Sequence, residues 1–303
     1  MSKPALSAII CSINPHEFKR IESNLKETAG RSSVEVLGFD NRELKWGICK
    51  VYNHLASKAQ SDKLLFIHED VIFKSYGWAD EVLEKLDDPS TGVIGFAGST
   101  YKTRAYSGWY IASKPEAMRG NVLSNYKPQS ILSEEKQMAS KKPFDEVITI
   151  DGFAMFVRKN VWSAIKFNEE ALPGFHGYDI DFSVSATHMG FRNYVWFVPD
   201  VMHYSNGRHD EHWLEHTINV HDAKLHKMLP LSVNHVKFSD RMMMEAKEDY
   251  FFLARVKNSL LPSDIKIRVW RRFLVKTLYN PFYLMMMSKG LIQSVIGHRH
   301  LSR

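Results

Sequence analysis

Cysteine is nearly absent from this chain of 303 residues: Cys11 and Cys49 are the only two, and both sit in apolar segments. That scarcity excludes a disulfide framework and fits a reducing compartment. Long apolar runs are missing as well. Nothing approaches the roughly 18 uninterrupted apolar residues needed to cross a bilayer. No signal-type cleavage site separates Pro4 from the apolar run Ala5 to Cys11, so a cytoplasmic protein is expected. No internal repeat or low-complexity segment occurs. Net positive charge, finally, is missing from most of the chain. The net charge is +6, yet residues 250–303 alone hold ten Lys or Arg against one acid, Asp264, and the preceding 249 residues balance at −3. An acidic body without a basic, aromatic sheet face argues against nucleic-acid binding.

What is present suits a soluble globular protein, with 44% apolar and 24% charged residues. Leu6 to Ser12 reads as a buried strand. Asn14-Pro15 caps a helix that Gly30 closes. Val34 to Phe39 is a second strand, ending at Asp40-Asn41, and a helix from about Ile48 to Ala59 follows. Another helix, Ala79 to Leu86, precedes the strand Val93 to Ala97. Strands alternating with helices of this length indicate βαβ units and a mostly parallel sheet, an α/β fold.

The stretch Leu64 to Phe73, LLFIHEDVIF, organises this pattern. A short apolar run bounded by polar residues suits a buried parallel strand. Open α/β sheets bind ligands at the carboxyl ends of such strands, where His68, Glu69 and Asp70 fall. The alternative is a solvated strand end. From Ser99 to Asp145 the periodicity dissolves, and Tyr101, Tyr106, Trp109, Tyr110 and Tyr126 suggest a loop that packs or binds. Phe153 to Val157 is a further apolar run, Asn160 to Ile165 a short helix, and Tyr194 to Val198 a strand. The run Pro173 to Asp181 opens a helix that Gly190 ends. A helical stretch from His209 to Met228 holds five histidines, but only His212 and His216 have i, i+4 spacing. No carboxylate pattern completes a zinc site there, so a polar helix face is expected.

In a parallel sheet, Asp40, His68 to Asp70, Asp179, Asp181 and His203 converge at one edge. Oxygen ligands with an imidazole suit Mg²⁺ or Mn²⁺. In the tail, Ile267, Trp270, Leu274 and Leu278 recur at helical spacing beside Arg268, Arg272 and Lys276. Such a helix can lie on an anionic membrane, with residues 265–289 as the contact. The alternative is a helix packed on the body with its charges in water.

This arrangement resembles the inverting family 2 glycosyltransferases of GT-A fold, closest to the branch typified by a streptomycin-biosynthesis protein, over about Leu6 to Tyr204. The resemblance implies a GT-A domain over residues 1–232 and a basic helical appendage over 233–303. Asp40-Asn41 corresponds to the acidic end of strand two that holds the nucleotide base. Gly47 and Asn53 fit the glycine and asparagine of the next helix. His68-Glu69-Asp70 takes the Asp-x-Asp position, so Asp70, with His68 and His203, would hold Mn²⁺ or Mg²⁺ and the donor diphosphate. Ser12, Asn14 and Lys50 complete the expected nucleotide-sugar side. Asp151, Gly152, Trp109 and Asp181 make the acceptor side, and Asp179 takes the catalytic-base position. His68 replaces the family's first aspartate, Tyr178 its glutamate, and Tyr52 a basic residue before Asn53.

The implied activity is transfer of a sugar from a nucleoside diphosphate sugar, a UDP-sugar for preference, to a glycan or lipid-linked acceptor in polysaccharide biosynthesis. The placement would be cytoplasmic, on the inner face of the membrane. The rival expectation is a degenerate GT-A protein that binds sugar nucleotide or glycan without turnover.

Overall fold

A computed structural model describes residues 3–123, 142–205 and 210–288 of the chain. Tyr126, His209 and Lys289 lie outside the described residues. A seven-stranded sheet runs in the order Val34–Asp40, Leu6–Ser12, Lys63–Ile67, Ala154–Arg158, Thr91–Gly95, Arg192–Trp196 and Phe144–Val147. Five strands point the same way; Ala154–Arg158 and Phe144–Val147 run against them. The mostly parallel expectation therefore holds. The reversed strand between Lys63–Ile67 and Thr91–Gly95 is a tertiary fact, since an apolar run carries no direction.

Helices cover both faces because the strands alternate. Leu64 and Phe66 join Ile9, Val93, Met155 and Val157 in one core with the helices Ile48–Lys58 and Tyr178–His188. Leu65 and Ile67 join Leu6, Ala8, Ile10, Ile94 and Phe156 on the other face, under Pro15–Thr28 and Ala79–Asp87. A period of two in a strand that is apolar throughout produces this split. The first helix starts as expected: the Asn14 side chain accepts from His16 N at 3.1 Å and Glu17 N at 3.4 Å. Gly30, at φ 84°, supplies the left-handed turn after its end.

The stretch Leu64 to Phe73 divides at its polar centre. Lys63–Ile67 stays in the large sheet, whereas Val71–Phe73 leaves it and pairs antiparallel with Val201–His203. His68 to Asp70 thus sit at the turn between two sheets, beside His203. The expected long helix after His209 is an α-helix over Glu211–Val220, a π turn over His221–Leu225 and a last turn over His226–Met228.

Gly47 and Asn53 act through the loop 166–174. A Cβ on Gly47 would lie 2.1 Å from Pro173 O, and Ile48 N donates to Gly174 O at 3.0 Å. The Asn53 amide donates to Phe167 O at 2.8 Å and to Glu169 at 2.7 Å, while its oxygen accepts from Trp162 Nε1 and Phe167 N.

Two further helices, Phe238–Asn258 and Ser263–Lys276, pack against each other. The alternative of a helix packed on the body with its charges in water needs correction, because two of those charges turn inward. Arg272 lies over the Tyr106 ring at 4.2 Å, and Lys276 Nζ is buried between Glu245 at 2.7 Å and Asp249 at 2.6 Å. Glu245 and Asp249 on the preceding helix draw Lys276 inward, and Asp222, 3.5 Å from Arg272 Nη1 in the π turn His221–Leu225, draws Arg272 inward. Val269 and Phe273 are buried with them, and Ile267, Trp270, Leu274 and Leu278 face outward.

Asn53→Ala strands several loop groups at once and should cost about 1–3 kcal/mol of stability. Urea unfolding reads this as a lower midpoint at unchanged slope. An unshifted midpoint would show that the loop is held without Asn53.

Candidate active site

The carboxyl ends of the parallel strands open onto a cleft of 1270 Å³. Asn14, Asn41, His68, Glu69 and Asp70 line it after the first three strands. Asp151, Gly152, Asp179, His203 and Trp109 line it from other segments. Ten residues singled out in the sequence thus meet in one cavity, as the geometry of an open α/β sheet requires.

At its centre the Tyr178 hydroxyl donates to Gly152 O at 2.9 Å and contacts His68 Nε2 at 2.7 Å. A hydroxyl has a single proton, so His68 Nε2 must be the donor toward it, which leaves Nδ1 with a free lone pair. Burial, and then the neighbouring His203, pull the His68 pKa down to about 3, so this imidazole stays neutral. The ligand atoms of His68, Asp70 and His203 lie within 4.8 Å of one another. His203 is stacked on Phe153 with centroids 4.6 Å apart, and its Nε2 is buried with no hydrogen-bond partner, 3.4 Å from Asp70 Oδ1. Burial works against an ionised Asp70, but His203 and His68 outweigh it and hold the carboxyl below its usual range. An orphaned imidazole nitrogen facing a carboxylate and a second neutral imidazole fits a divalent cation of the Mn²⁺ type.

Asp179 stands at the first turn of the helix Tyr178–His188. Its oxygens accept from Gly152 N at 3.2 Å and Ile180 N at 2.9 Å. Burial first, and the charge of Asp151 second, push its pKa up to about 7. A carboxyl poised there can exchange a proton with an alcohol at neutral pH. Asp181, two residues on, projects about 200° away. It is buried outside the cleft, 2.8 Å from Lys224 Nζ.

The remaining expected residues divide. Glu69 faces the cleft, but its carboxylate accepts from Ser12 Oγ at 2.5 Å, Asn14 N at 3.1 Å and Ile13 N at 3.2 Å, so it ties down the loop after the first strand. Ser12 acts through Glu69 and does not line the cavity. Asp40 also lies outside it, exposed and paired with Arg42 at 2.6 Å. An arginine two residues away competes for that carboxylate. Lys50 sits 4.1 Å over the Trp46 ring, also outside the cleft. Asn41 secures the same tryptophan through Trp46 N at 2.7 Å and Trp46 O at 2.8 Å. The helix histidines do not assemble: among the described residues, the trio His68, Asp70 and His203 is the one group with metal-site geometry.

Trp213, Glu248 and Arg255 carry no signal in the sequence pattern. They line the far end of the cleft, and the latter two come from the helix Phe238–Asn258. No motif marks them, because only the packing of that helix over the cleft makes them part of it.

Three solved structures align with this chain at low identity. GalNAc-T7 with UDP, GalNAc and Mn²⁺ is 12% identical at a TM-score of 0.48, covering 88% of this chain and 53% of its own, so the chain spans about half the length of that protein. The mannosyltransferase PcManGT from Pyrobaculum calidifontis, with GDP-Man and Mn²⁺, is 11% identical at 0.43, covering 98% and 76%. S. aureus TarS is 13% identical at 0.44, covering 90% and 43%. No curated protein matches significantly. A sequence model described as "Glycosyltransferase like family" matches residues 7–229, which takes in all of the large sheet but Leu6 and every residue of the central site. On that match the chain belongs to the glycosyltransferase-like family.

Proposed function

We propose that the protein transfers a sugar from a nucleoside diphosphate sugar to an acceptor hydroxyl, with inversion, in glycan or polysaccharide synthesis. One observation carries this reading. A cation-type site and a carboxyl held near neutral pKa share one cleft, whose donor end has no Lys or Arg among the described residues. A diphosphate beside Glu69 and Asp70 would be repelled without a cation. His68, Asp70 and His203 would hold that ion, Mn²⁺ or Mg²⁺, which when bound neutralises the departing diphosphate. Asp179 takes the acceptor hydroxyl's proton as that oxygen attacks the anomeric carbon. The bond to the diphosphate breaks, and a nucleoside diphosphate leaves. A single displacement inverts the anomeric centre. The motif order from Asp40 to His203 supports the streptomycin-biosynthesis-like branch and a UDP-sugar donor. Residues 1–232 would carry the transfer and 233–303 the appendage. The degenerate alternative is no better supported, because the Tyr178 that replaces a glutamate buttresses His68.

The reading includes a membrane-facing appendage on the cytoplasmic side, beside a lipid-linked acceptor. No helix among the described residues is long and apolar enough to cross a membrane. On Ser263–Lys276 the buried side holds Phe273 at 2% exposure, while Trp270 is 40% and Ile267 52% exposed. Leu278, just beyond the helix, is 85% exposed. Arg268 and Arg271 flank these outward apolar residues. Bulky apolar side chains turned outward with arginines at their edge suit an anionic lipid surface, where each basic residue contributes on the order of 1 kcal/mol.

UDP titrated calorimetrically should bind wild type with Mn²⁺ and lose most affinity with EDTA or in Asp70→Asn. Equal affinity in every case would sink the metal assignment. Asp179→Asn should lower turnover about 10²–10⁴-fold with UDP affinity kept. In wild type kcat/KM should rise with pH through about 7, as Asp179 ionises. The sign for stability is opposite. A carboxyl raised from 3.8 to about 7 disfavours the folded state increasingly across that interval and by a constant amount above it. Asp179→Asn should therefore melt no lower than wild type at pH 8. Wild-type turnover in Asp179→Asn would move the base elsewhere.

The 303-residue chain should co-sediment with phosphatidylglycerol vesicles at low salt, and Trp270→Glu with Leu274→Glu should release it. Partitioning that the double variant leaves intact would rule out this face as the contact.

A further inference from the structure

The cleft's 1270 Å³ exceeds the roughly 300–1,000 Å³ of a site for one small ligand, so it has room beyond the donor. Its far end is built by the helix Phe238–Asn258, whose residues lie beyond the 7–229 family match. Aromatic rings face the cavity there: Trp109, Tyr110, Trp213 and Phe251, with Tyr110 and Phe251 substantially exposed. Aromatic faces left accessible in a cleft provide flat apolar platforms with little entropy to lose on binding.

Charge gives this end its character. Acids line the cleft along its length, among them Glu17, Glu69, Asp70, Asp151, Asp179 and Asp210. Arg255 is the one Lys or Arg among the described lining residues. Its guanidinium stands 5.6 Å from the centre of the Trp213 ring, and it forms no ion pair among the described residues. Even the nearest acid on its own helix face is engaged. Glu248 accepts from Ser113 N at 2.6 Å, and the fully buried Lys102 lies close enough to interact with its charge. A guanidinium braced on an indole and left without a carboxylate is suited to bidentate recognition of an oxyanion.

We propose that this far end is the acceptor subsite, and that it takes a saccharide bearing an anionic group, a phosphate or a carboxylate, paired with Arg255 and stacked on the surrounding aromatic rings. The inference rests on the sugar-transfer reading and adds the class of acceptor. Arg255 is not part of the cation site, so an anion placed there and the donor diphosphate are held by different groups.

The test uses the 303-residue chain saturated with UDP and Mn²⁺, so that the donor pocket is filled. Glucose 1-phosphate, glucuronate and neutral glucose are each titrated by saturation-transfer NMR against wild type and Arg255→Gln. At least one anionic sugar should bind wild type about tenfold more tightly than glucose, as a charge-assisted bond of about 1.5–3 kcal/mol allows. Arg255→Gln should erase that preference with UDP affinity and melting temperature unchanged. Which anionic sugar wins identifies phosphate or carboxylate as the recognised group. Equal binding of all three sugars, no binding of either anion, or a preference that survives Arg255→Gln would overturn the proposal while UDP binding keeps the transfer reading standing. A loss of UDP affinity in Arg255→Gln would overturn it too, by assigning the arginine to the donor. Failure of wild type to bind UDP would remove the transfer reading and this inference together.

Discussion

The hydroxyl of Tyr178 holds the site together. It donates to Gly152 O and receives His68 Nε2–H, joining the start of one helix to two strand ends. The junction leaves no space: a Cβ on Gly152 would lie 2.4 Å from that hydroxyl oxygen. Because Tyr178 fixes the His68 tautomer, it decides which nitrogen faces Asp70 and His203. Because it opens the helix, it also sets Asp179 against Gly152 N. Cation site and base are therefore positioned by one buried bond network, and a shift in either disturbs the other.

The electrostatics follow from the same crowding. Carboxylates gathered at a sheet edge with no lysine or arginine among them are unfavourable unless a proton, a cation or a substrate group relieves them. Asp179 is relieved by its raised pKa, Glu69 by three donors, and Asp70 chiefly by His203. Asp40 and Asp181, which found Arg42 and Lys224, are the acids that stay out of the cleft. Among the acids expected as site residues, those in the cleft and those outside it thus differ in having a permanent cation beside them.

The C-terminal helices serve two surfaces at once. Their inner side closes the cleft with Glu248 and Arg255 and is pinned by Lys276 between Glu245 and Asp249. Their outer side carries the apolar residues that amphipathic periodicity marks as a buried stripe. Buried ion pairs are weak evidence for stability but strong determinants of which face turns inward, because an unpaired buried charge is far costlier than an exposed leucine.

The sequence by itself determined the alternation of strands and helices, the Asn14 cap, the turn at Gly30 and the convergence of His68, Asp70, Asp179 and His203 at one sheet edge. The first three follow from local propensity and the convergence of His68, Asp70 and Asp179 from the rule that parallel strands share a carboxyl end, whereas His203 arrives on a separate antiparallel pair. Tertiary structure alone decided the reversed strand Ala154–Arg158, the exclusion of Asp40 and Asp181, the outward face of the tail and the entry of Arg255 into the cleft. Each depends on a partner distant in the chain or on a local competitor, such as Asp249 for Lys276 or Arg42 for Asp40. Hydrophobic periodicity records how often a residue is apolar; it does not record which charge waits on the neighbouring helix.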